Sequence, residues 1–328
     1  MGVADVIVVL MLIISSLSKS ASGCYESIIS FGDSLADTGN LLLLSPSDKL
    51  PRSARLPYGE TFFHHPTGRY SDGPDSLGLP LVQPYLGGDG RSFSKGVNFA
   101  VAGATALDYE YLEKRGIHNP LTNVSLGTQL DWFKQILAKH SDLQLSILYY
   151  QELIKLGAET MVVPGNFPIG CLPVYLTQYM TSNGKDYNSK TGCLNWLNKI
   201  SEYYNELLRK ELSRIRELHP NVTIIYADSY NVALRFYLYP NEFGFSKGIL
   251  RACCGTGGIY NYNASAECGI VPSTSCDDPS SLASWDGMHF TEAAYRVIAQ
   301  GLLEGPYTTP QFRTVCPSIS RHPGFSSI

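Results

Sequence analysis

The segment "ESIISFGDSLADTGN", residues 26–40, joins a short apolar run to an abrupt turn. The β-branched residues before Phe31 predict a buried strand, and Gly-Asp-Ser is typical of the turn that ends one. Ser34 therefore has two interpretations. It is a nucleophile at the end of a strand, or only a hydroxyl that fills a turn or caps a helix.

Short apolar runs and amphipathic stretches alternate along the chain. Strand-like runs lie at 26–31, 96–101, 160–164 and 221–227, and stretches with helical periodicity lie at 128–139, 147–157, 193–218 and 291–303. This alternation predicts an α/β fold with a mainly parallel sheet. Functional residues of such sheets gather at the carboxyl ends of strands, where Ser34 and Gly103 both fall. In the helix at 193–218, the predicted apolar side consists of Leu194, Leu197, Ile200, Tyr204, Leu207 and Leu208.

The composition limits the classes of function. The chain has 328 residues, which is enough for one large domain with a real core. Its net charge is −4 and its basic residues are scattered, so it offers nucleic acid no attractive field.

Residues 1–23 have the features of a signal peptide. The apolar run at 4–17 is too short for an ordinary membrane span. Ala21 and Gly23 fit the small-residue rule for cleavage before about Cys24. We therefore expect an exported chain with a single domain at 24–328 and no stable membrane span. An uncleaved anchor is the alternative.

Cysteines and glycosylation sequons agree with export. An even number of cysteines in an exported chain predicts disulfides, although the sequence does not give their pairing. No C-x-x-C pair occurs, so the spacing predicts no zinc site. The eight cysteines are Cys24, Cys171, Cys193, Cys253, Cys254, Cys268, Cys276 and Cys316. The sequons lie at Asn123, Asn221 and Asn263.

His289 is the candidate base for Ser34. A serine hydroxyl needs a base, usually a histidine that a carboxylate orients. In "SWDGMHFTEAAYRVIA", Asp286 precedes His289 by three residues, and Thr291 is placed to cap the following helix. In a tight turn this spacing puts the carboxylate against one ring nitrogen and leaves the other free. The alternative is a plain Asp-Gly turn before a helix. The remaining histidines have loop, helix-end or tail positions: His64, His65, His118, His140, His219 and His322.

Several motifs together are more specific than any one alone. "FGDSLADTGN" at 31–40, "GVNFAVAGAT" at 96–105 and "DGMH" at 286–289 resemble the GDSL family, also called SGNH hydrolases. "PYGETFFHHPTGRYSDG" at 57–73 and "VVPGNFPIGCLPVYLT" at 162–177 are similar to its secreted plant esterases/lipases. The resemblance runs from about residue 26 to 303. The G-x-S-x-G motif of the α/β-hydrolases does not occur in the chain.

The resemblance implies a fold, a reaction and roles for five atoms or groups. The implied fold is a flavodoxin-like three-layer α/β/α sandwich. The implied reaction is ester hydrolysis without a metal or cofactor. Ser34 matches the nucleophile, His289 the general base and Asp286 its orienting carboxylate. The backbone N–H groups of Ser34 and Gly103 match two donors of the oxyanion hole.

The chain departs from the family at two places. The family's Gly-x-Asn-Asp block, whose asparagine donates a third hydrogen bond to the oxyanion, is missing from the sequence. Asn166 in "PGNF" is a poor replacement because it belongs to a different motif after a different strand, and Asn98 is a weaker candidate. A second gap falls at 71–81. We expect a fold that lacks one strand and parts of two helices, and we interpret the chain as a shortened form of a longer esterase.

Three functions remain open at this point. The first is a carboxylic-ester hydrolase exported to the cell wall, apoplast or vacuole, acting on a small acyl ester or an acylated glycan. The second is a catalytically impaired secreted protein that binds glycans or esters. The third is an acyltransferase, because water and alcohols attack the same acyl-enzyme. The sequence does not indicate the natural substrate or the oligomeric state.

Overall fold

The computed structural model describes residues 8–9, 25, 27–73, 82–87, 96–138 and 149–317. The expectations for Cys24, the gap after residue 73, His140 and His322 lie outside the described residues, as does most of the predicted signal peptide. The chain divides into two compact units. The first unit comprises 1–50, 80–163 and 214–225, and the second comprises 51–79, 164–213 and 226–328.

The strands form two small sheets in the described part of the chain. The sheet orders are β1–β2–β3 and β4–β5–β6. In the first sheet both pairings are parallel, with Ile29 opposite Val97. In the second sheet β5 and β6 are antiparallel, with Tyr226 opposite Thr309. The bounds are β1 Val8–Val9, β2 Ile28–Ser30, β3 Gly96–Asn98, β4 Thr160–Pro164, β5 Thr223–Ala227 and β6 Thr308–Thr309.

Nine α-helices occur among the described residues. Thr291 caps α8 as the sequence predicts, since its hydroxyl accepts a hydrogen bond from the Ala294 N–H at 3.2 Å. None of the described helices combines the length and the hydropathy that a membrane crossing needs. The bounds are α1 Asn40–Leu44, α2 Tyr109–Glu113, α3 Leu126–Ala138, α4 Tyr149–Lys155, α5 Pro173–Gln178, α6 Asn195–Leu218, α7 Ser229–Leu238, α8 Glu292–Leu303 and α9 Phe312–Val315.

The predicted α/β class is confirmed, and all eight predicted elements are present within a few residues. Five short helices were not predicted from the sequence, namely α1, α2, α5, α7 and α9. A single mainly parallel sheet was expected, whereas the described strands form two sheets. The expectation that one strand and parts of two helices are missing stays a prediction.

An aromatic cluster joins the strands of the first unit to α3. The rings of Phe31 and Phe99 stack with centroids 5.2 Å apart. Phe133 meets both rings edge-on, at 5.7 and 5.8 Å. On the same helix, the Gln129 amide accepts a hydrogen bond from the Gly32 N–H at 2.9 Å and donates one to the Gly32 carbonyl at 2.8 Å. The helix thus holds the backbone directly before Ser34.

Disulfides hold loops of the second unit. The pairs are Cys171–Cys193, Cys253–Cys276 and Cys254–Cys268, and Cys316 is also disulfide-bonded. The predicted use of cysteines in disulfides is therefore confirmed. By closing loops, such bonds lower the entropy of the unfolded chain.

The predicted apolar side of α6 is only partly correct. Leu194 and Leu197 are buried, but Ile200, Tyr204 and Leu207 are 49%, 51% and 45% exposed. The buried face of this helix carries polar residues in their place, namely Asn198, Ser201 and Asn205.

The reason is that α6 supplies hydrogen bonds to buried loop backbone. Asn198 Oδ1 accepts from the Gly170 N–H at 2.8 Å. Asn205 Oδ1 accepts from the Asn166 N–H at 2.6 Å, and its Nδ2 donates to the Asn166 carbonyl at 2.9 Å. A buried backbone group without a partner costs about 1–3 kcal/mol. At these positions the hydrogen bonds of the two amides therefore stabilise the fold more than apolar side chains would.

We expect Asn205→Ala to lower the free energy of unfolding by about 1–3 kcal/mol, because it leaves two backbone groups of Asn166 unpaired. Urea unfolding measures the change. Lys199→Ala, an exposed position on the same helix, is the control and should stay within about 0.5 kcal/mol of wild type. Equal effects of the two substitutions would contradict the assignment.

Candidate active site

Ser34 lies in a turn directly after β2. The Asp33 carbonyl accepts hydrogen bonds from the Ala36 and Asp37 N–H groups at 3.1 and 2.9 Å. The Asp33 carboxylate accepts from the Leu35 N–H at 3.0 Å. Asp33 therefore stabilises the turn with both its carbonyl and its side chain. Ser34 is half-buried.

Gly103 follows β3, the parallel neighbour of β2. Its φ is +81°, a left-handed conformation that favours glycine. A Cβ at this position would lie 2.8 Å from Cβ of Leu121. The Gly103 carbonyl accepts from Asn119 Nδ2 at 2.7 Å, while none of the described residues accepts a hydrogen bond from its N–H. The N–H of Gly103 thus remains available to an oxyanion.

Asp37 organises the backbone between these two loops. Its buried carboxylate accepts hydrogen bonds from the N–H groups of Gly39, Asn40 and Leu41 at 2.6–3.1 Å and from Ala102 N–H at 2.7 Å. Burial raises the pKa of Asp37, and these four donors oppose that rise. The "GDSLADTGN" and "GVNFAVAGAT" motifs are therefore tied together by one carboxylate.

Asn98 does not replace the missing family asparagine. Its Nδ2 donates to the Ala36 carbonyl, and its Oδ1 accepts from the Ala100 N–H at 2.7 Å. The residue is 2% exposed, and both polar atoms of its side chain are engaged in these backbone contacts. The reading of Asn98 as a weak candidate agrees with this geometry.

Asn166 lies in the second unit, after β4. Its backbone is held by Asn205, as described above. Its half-buried side chain makes no hydrogen bond to the described residues. The structure thus explains why the loop needs a fixed backbone at this position, without giving the Asn166 amide a partner.

Asp286 and His289 form a buried pair in the second unit. Nδ1 of His289 lies 2.8 Å from Oδ2 of Asp286, and each residue is only 2% exposed. Oδ1 of Asp286 accepts hydrogen bonds from the Met288 and His289 N–H groups at 3.0 and 2.9 Å. The turn predicted from the three-residue spacing is therefore present. It directs the carboxylate at Nδ1 of His289.

Charge and hydrogen bonding decide the ionisation of Asp286. Burial by itself raises the pKa of its carboxyl. The charge of His289, the hydrogen bonds from that residue and the Arg52 guanidinium outweigh burial, and they hold the pKa of Asp286 below its ordinary value. Asp286 is therefore an anion at any pH near neutrality and is suited to orient an imidazole.

Neighbouring backbone holds the segment that carries the pair. The carbonyls of Ser284 and Trp285 accept from the N–H groups of Cys253 and Cys254 at 2.9 and 2.7 Å. Both cysteines are in disulfides. Gly287 has φ +97°, and a Cβ there would lie 2.5 Å from the Tyr262 ring.

The site contains one residue that the sequence reasoning missed. The hydroxyl of Tyr58 donates to Oδ2 of Asp286 at 2.8 Å. Tyr58 belongs to the quoted "PYGETFF" segment, but the two residues are 228 positions apart. No local pattern links residues at that separation, so only an alignment with co-varying positions could have indicated the contact.

The three sequon asparagines, Asn123, Asn221 and Asn263, are all exposed. Oδ1 of Asn263 accepts from the Ser265 N–H at 2.9 Å, which makes an Asx turn. Glycan attachment at these positions is sterically open and stays a prediction.

We expect Asp286→Asn to lower the free energy of unfolding by about 1–3 kcal/mol at pH 7, because an amide NH₂ cannot accept the buried hydrogen bonds that the carboxylate accepts from His289 and Tyr58. The folded-state pKa of Asp286 is depressed, so its contribution is present above the unfolded value of about 3.9 and is lost as pH falls below it. The difference between wild type and variant should therefore shrink below about pH 4.

Denaturant unfolding at pH 7, 5, 4 and 3 measures this difference. Asp48→Asn, at an exposed position, is the control and should give no such convergence. A wild-type advantage that stays constant down to pH 3 would contradict the assignment.

Comparison with known proteins agrees with this geometry. Residues 28–302 match the family model described as GDSL-like Lipase/Acylhydrolase. Two GDSL esterases/lipases of Arabidopsis thaliana are 47% and 48% identical, over 94% and 89% of this chain and 89% of each relative. A sinapine esterase of Brassica napus is 42% identical, over 96% of this chain and 95% of the relative.

The same comparison measures what is missing inside the chain. The alignment with the first Arabidopsis relative extends over 359 positions, whereas 94% of 328 residues is about 308. About 50 positions of that relative therefore have no counterpart here, in agreement with the two gaps inferred from the motifs. The family model matches most of the chain, and the relatives align with it on both sides of these gaps. The chain therefore belongs to the GDSL-like lipase/acylhydrolase family.

Proposed function

We propose that the protein hydrolyses carboxylic esters through an acyl-enzyme formed on Ser34. The observation that carries this proposal is the buried Asp286–His289 pair, in which Nδ1 lies 2.8 Å from Oδ2 of Asp286. The names of the relatives, GDSL esterase/lipase and sinapine esterase, support the same reaction class.

Each residue has one role in the proposed reaction. Nε2 of His289 takes the proton of the Ser34 hydroxyl while Oγ bonds to the ester carbonyl carbon. The imidazolium, stabilised by Asp286, then gives that proton to the leaving alcohol as the C–O bond breaks. A water, deprotonated by His289 in turn, attacks the acyl-enzyme, releases the acid and restores Ser34.

The negative charge that develops on the carbonyl oxygen needs donors. The N–H groups of Ser34 and Gly103 follow neighbouring parallel strands, and that of Gly103 has no partner among the described residues. We assign these two groups to the oxyanion hole. The missing family asparagine removes a donor of the kind that contributes roughly 10²- to 10³-fold in rate, so we expect a slow esterase.

The substrate class follows from the relatives and from the surface beside His289. Sinapine esterase, by its name, acts on the ester sinapine. Met288 is 41% exposed directly next to His289 and offers apolar surface to a substrate. We propose a small acyl ester, with an acylated glycan as the other candidate of the same chemistry.

A second candidate function is a non-catalytic, ester- or glycan-binding protein. The observation that favours it is the missing Gly-x-Asn-Asp block of the sequence. Acyl transfer to an alcohol uses the same residues, and product analysis with an alcohol acceptor distinguishes it from hydrolysis.

We also propose export, with residues 1–23 as a cleaved signal peptide and 24–328 as the mature domain. The disulfides of the second unit support an oxidising compartment. Cleavage would remove β1 from its pairing with β2, while the β2–β3 pairing that carries Ser34 and Gly103 would remain.

We expect Ser34→Ala to reduce kcat on a short-chain chromogenic ester by about 10³-fold or more, because it removes the nucleophile. A fluorophosphonate probe should label the wild type on the peptide that contains Ser34 and leave the variant unlabelled. Ser47→Ala, at an exposed position in the same unit, is the matched control and should keep full activity.

Two results would overturn the esterase proposal. One is activity that survives Ser34→Ala, which would place the chemistry elsewhere. The other is a folded, monodisperse wild type without activity or labelling, which would favour the binding protein.

N-terminal sequencing of the chain secreted from a plant expression host tests the export proposal. We expect the sequence to begin near Cys24, because Ala21 and Gly23 are the small residues that signal peptidase requires. A secreted chain that begins at Met1 or Gly2 would contradict cleavage, and retention in membranes would favour the uncleaved anchor.

A further inference from the structure

Tyr58 shares an acceptor atom with the candidate catalytic histidine. Its hydroxyl donates to Oδ2 of Asp286 at 2.8 Å, and Nδ1 of His289 lies 2.8 Å from the same oxygen. Tyr58 is 0% exposed, so water does not compete for this contact. Two donors therefore approach one carboxylate oxygen from different parts of the chain.

With Tyr58, the hydrogen bonding of Asp286 is complete. An ionised carboxylate offers about four lone-pair sites. Oδ1 accepts two backbone N–H groups, from Met288 and His289, and Oδ2 accepts the imidazole and the Tyr58 hydroxyl. The carboxylate thus has four protein donors and one fixed orientation. Without Tyr58, the side of Oδ2 away from His289 would be a buried acceptor without a partner.

Packing fixes the Tyr58 ring. It meets the rings of Tyr70 and Trp285 edge-on, with centroids 5.7 and 6.1 Å away. Tyr70 in turn lies 4.9 Å from the His289 ring. The Tyr58 N–H donates to the Arg55 carbonyl at 3.2 Å. The hydroxyl is therefore directed by its surroundings rather than free to rotate away.

The charged and titratable groups around the pair keep the hydroxyl protonated. Burial, and next the charge of Asp286, raise the pKa of Tyr58 well above its ordinary value. Arg52 lies near this group and is itself paired with Glu267 at 2.8 Å. The hydroxyl of Tyr262 donates to Glu267 at 3.1 Å. Together with Tyr70, these groups surround Asp286 and His289 within the second unit.

We propose that Tyr58 is a positioning residue for the Asp286–His289 pair. The proposal rests on the esterase function proposed above and assigns Tyr58 two effects. It holds Oδ2 in the orientation that meets Nδ1 of His289. It also takes up part of the negative charge of Oδ2, so that the carboxylate is a weaker partner for the imidazolium.

The first test compares Tyr58→Phe with Tyr237→Phe. Tyr237 is also a buried tyrosine of the second unit, and none of the described ring contacts or hydrogen bonds joins it to Asp286 or His289. We expect Tyr58→Phe to lower kcat/KM about tenfold at its plateau. We also expect the acidic limb of its pH profile to move up by about half a pH unit, since the carboxylate loses one donor.

The Tyr237→Phe control should leave both quantities within about twofold of wild type. If Tyr58→Phe matches the control in the pH profile, and the two variants differ only in stability, then Tyr58 has a structural role alone and the proposal is wrong. The pH of the acidic limb distinguishes a positioning role of Tyr58 from a structural one. A loss of folded protein lowers the rate but does not move the acidic limb.

The second test needs no turnover and so does not depend on the esterase proposal. In wild-type protein labelled at tyrosine and histidine, we expect the Tyr58 hydroxyl proton to exchange slowly and to show a nuclear Overhauser effect to the Nδ1 proton of His289. In Tyr58→Phe, that Nδ1 resonance should move further downfield as its hydrogen bond strengthens. An absent hydroxyl resonance in the wild type would overturn the proposal, even where the variant does not fold.

Discussion

Buried loop backbone must be hydrogen-bonded, and this requirement governs the structure around the candidate site. Loops that follow strands leave N–H and C=O groups inside the protein without a ladder partner, and each such group costs about 1–3 kcal/mol if it stays unpaired. Short polar side chains meet this need here. The Asp37 carboxylate accepts hydrogen bonds from four N–H groups. The amides of Gln129 and Asn205 each bond to the N–H and the C=O of one residue, Gly32 and Asn166 respectively.

The same requirement accounts for the polar residues of the motifs. Asn40 donates to the carbonyls of Asn98 and Ala100 at 2.8 and 2.9 Å and accepts from the Leu86 N–H at 3.0 Å. The amide of Asn98 contacts the backbone at Ala36 and Ala100. These residues hold the loops after β2 and β3 in place. The motifs are therefore partly structural, and Ser34 and Gly103 lie on the loops that the other motif residues support.

Absent segments affect the chemistry and the sheet differently. A missing oxyanion donor weakens stabilisation of one charge and lowers the rate by a limited factor. The predicted loss of a strand would remove backbone ladder contacts, and these would come out of a net stability of only about 5–15 kcal/mol. The described strands form two sheets, yet the Asp286–His289 turn and the Ser34 turn are intact. Both turns depend on contacts made within their own unit.

Much of the fold and of the candidate site could be predicted from the sequence because the signals are local. Strand and helix positions follow from apolar periodicity, and the Asp286–His289 contact follows from a three-residue spacing in one turn. The prediction from periodicity was wrong on α6. There Asn198 and Asn205 are buried because they form hydrogen bonds with the backbone of loops elsewhere in the chain. The hydrophobic pattern of a sequence does not show which buried backbone groups need a side-chain hydrogen bond.

The α/β class, the family, the turn residues and the capped helix after His289 can all be inferred from the amino-acid sequence. The disulfide pairing, the polar buried face of α6 and the contact of Tyr58 with Asp286 across 228 positions become visible only in the folded chain. The physical reason is range. Turns, caps and periodicity are interactions between residues a few positions apart, whereas the last donor to a buried carboxylate comes from whichever segment the fold brings beside it.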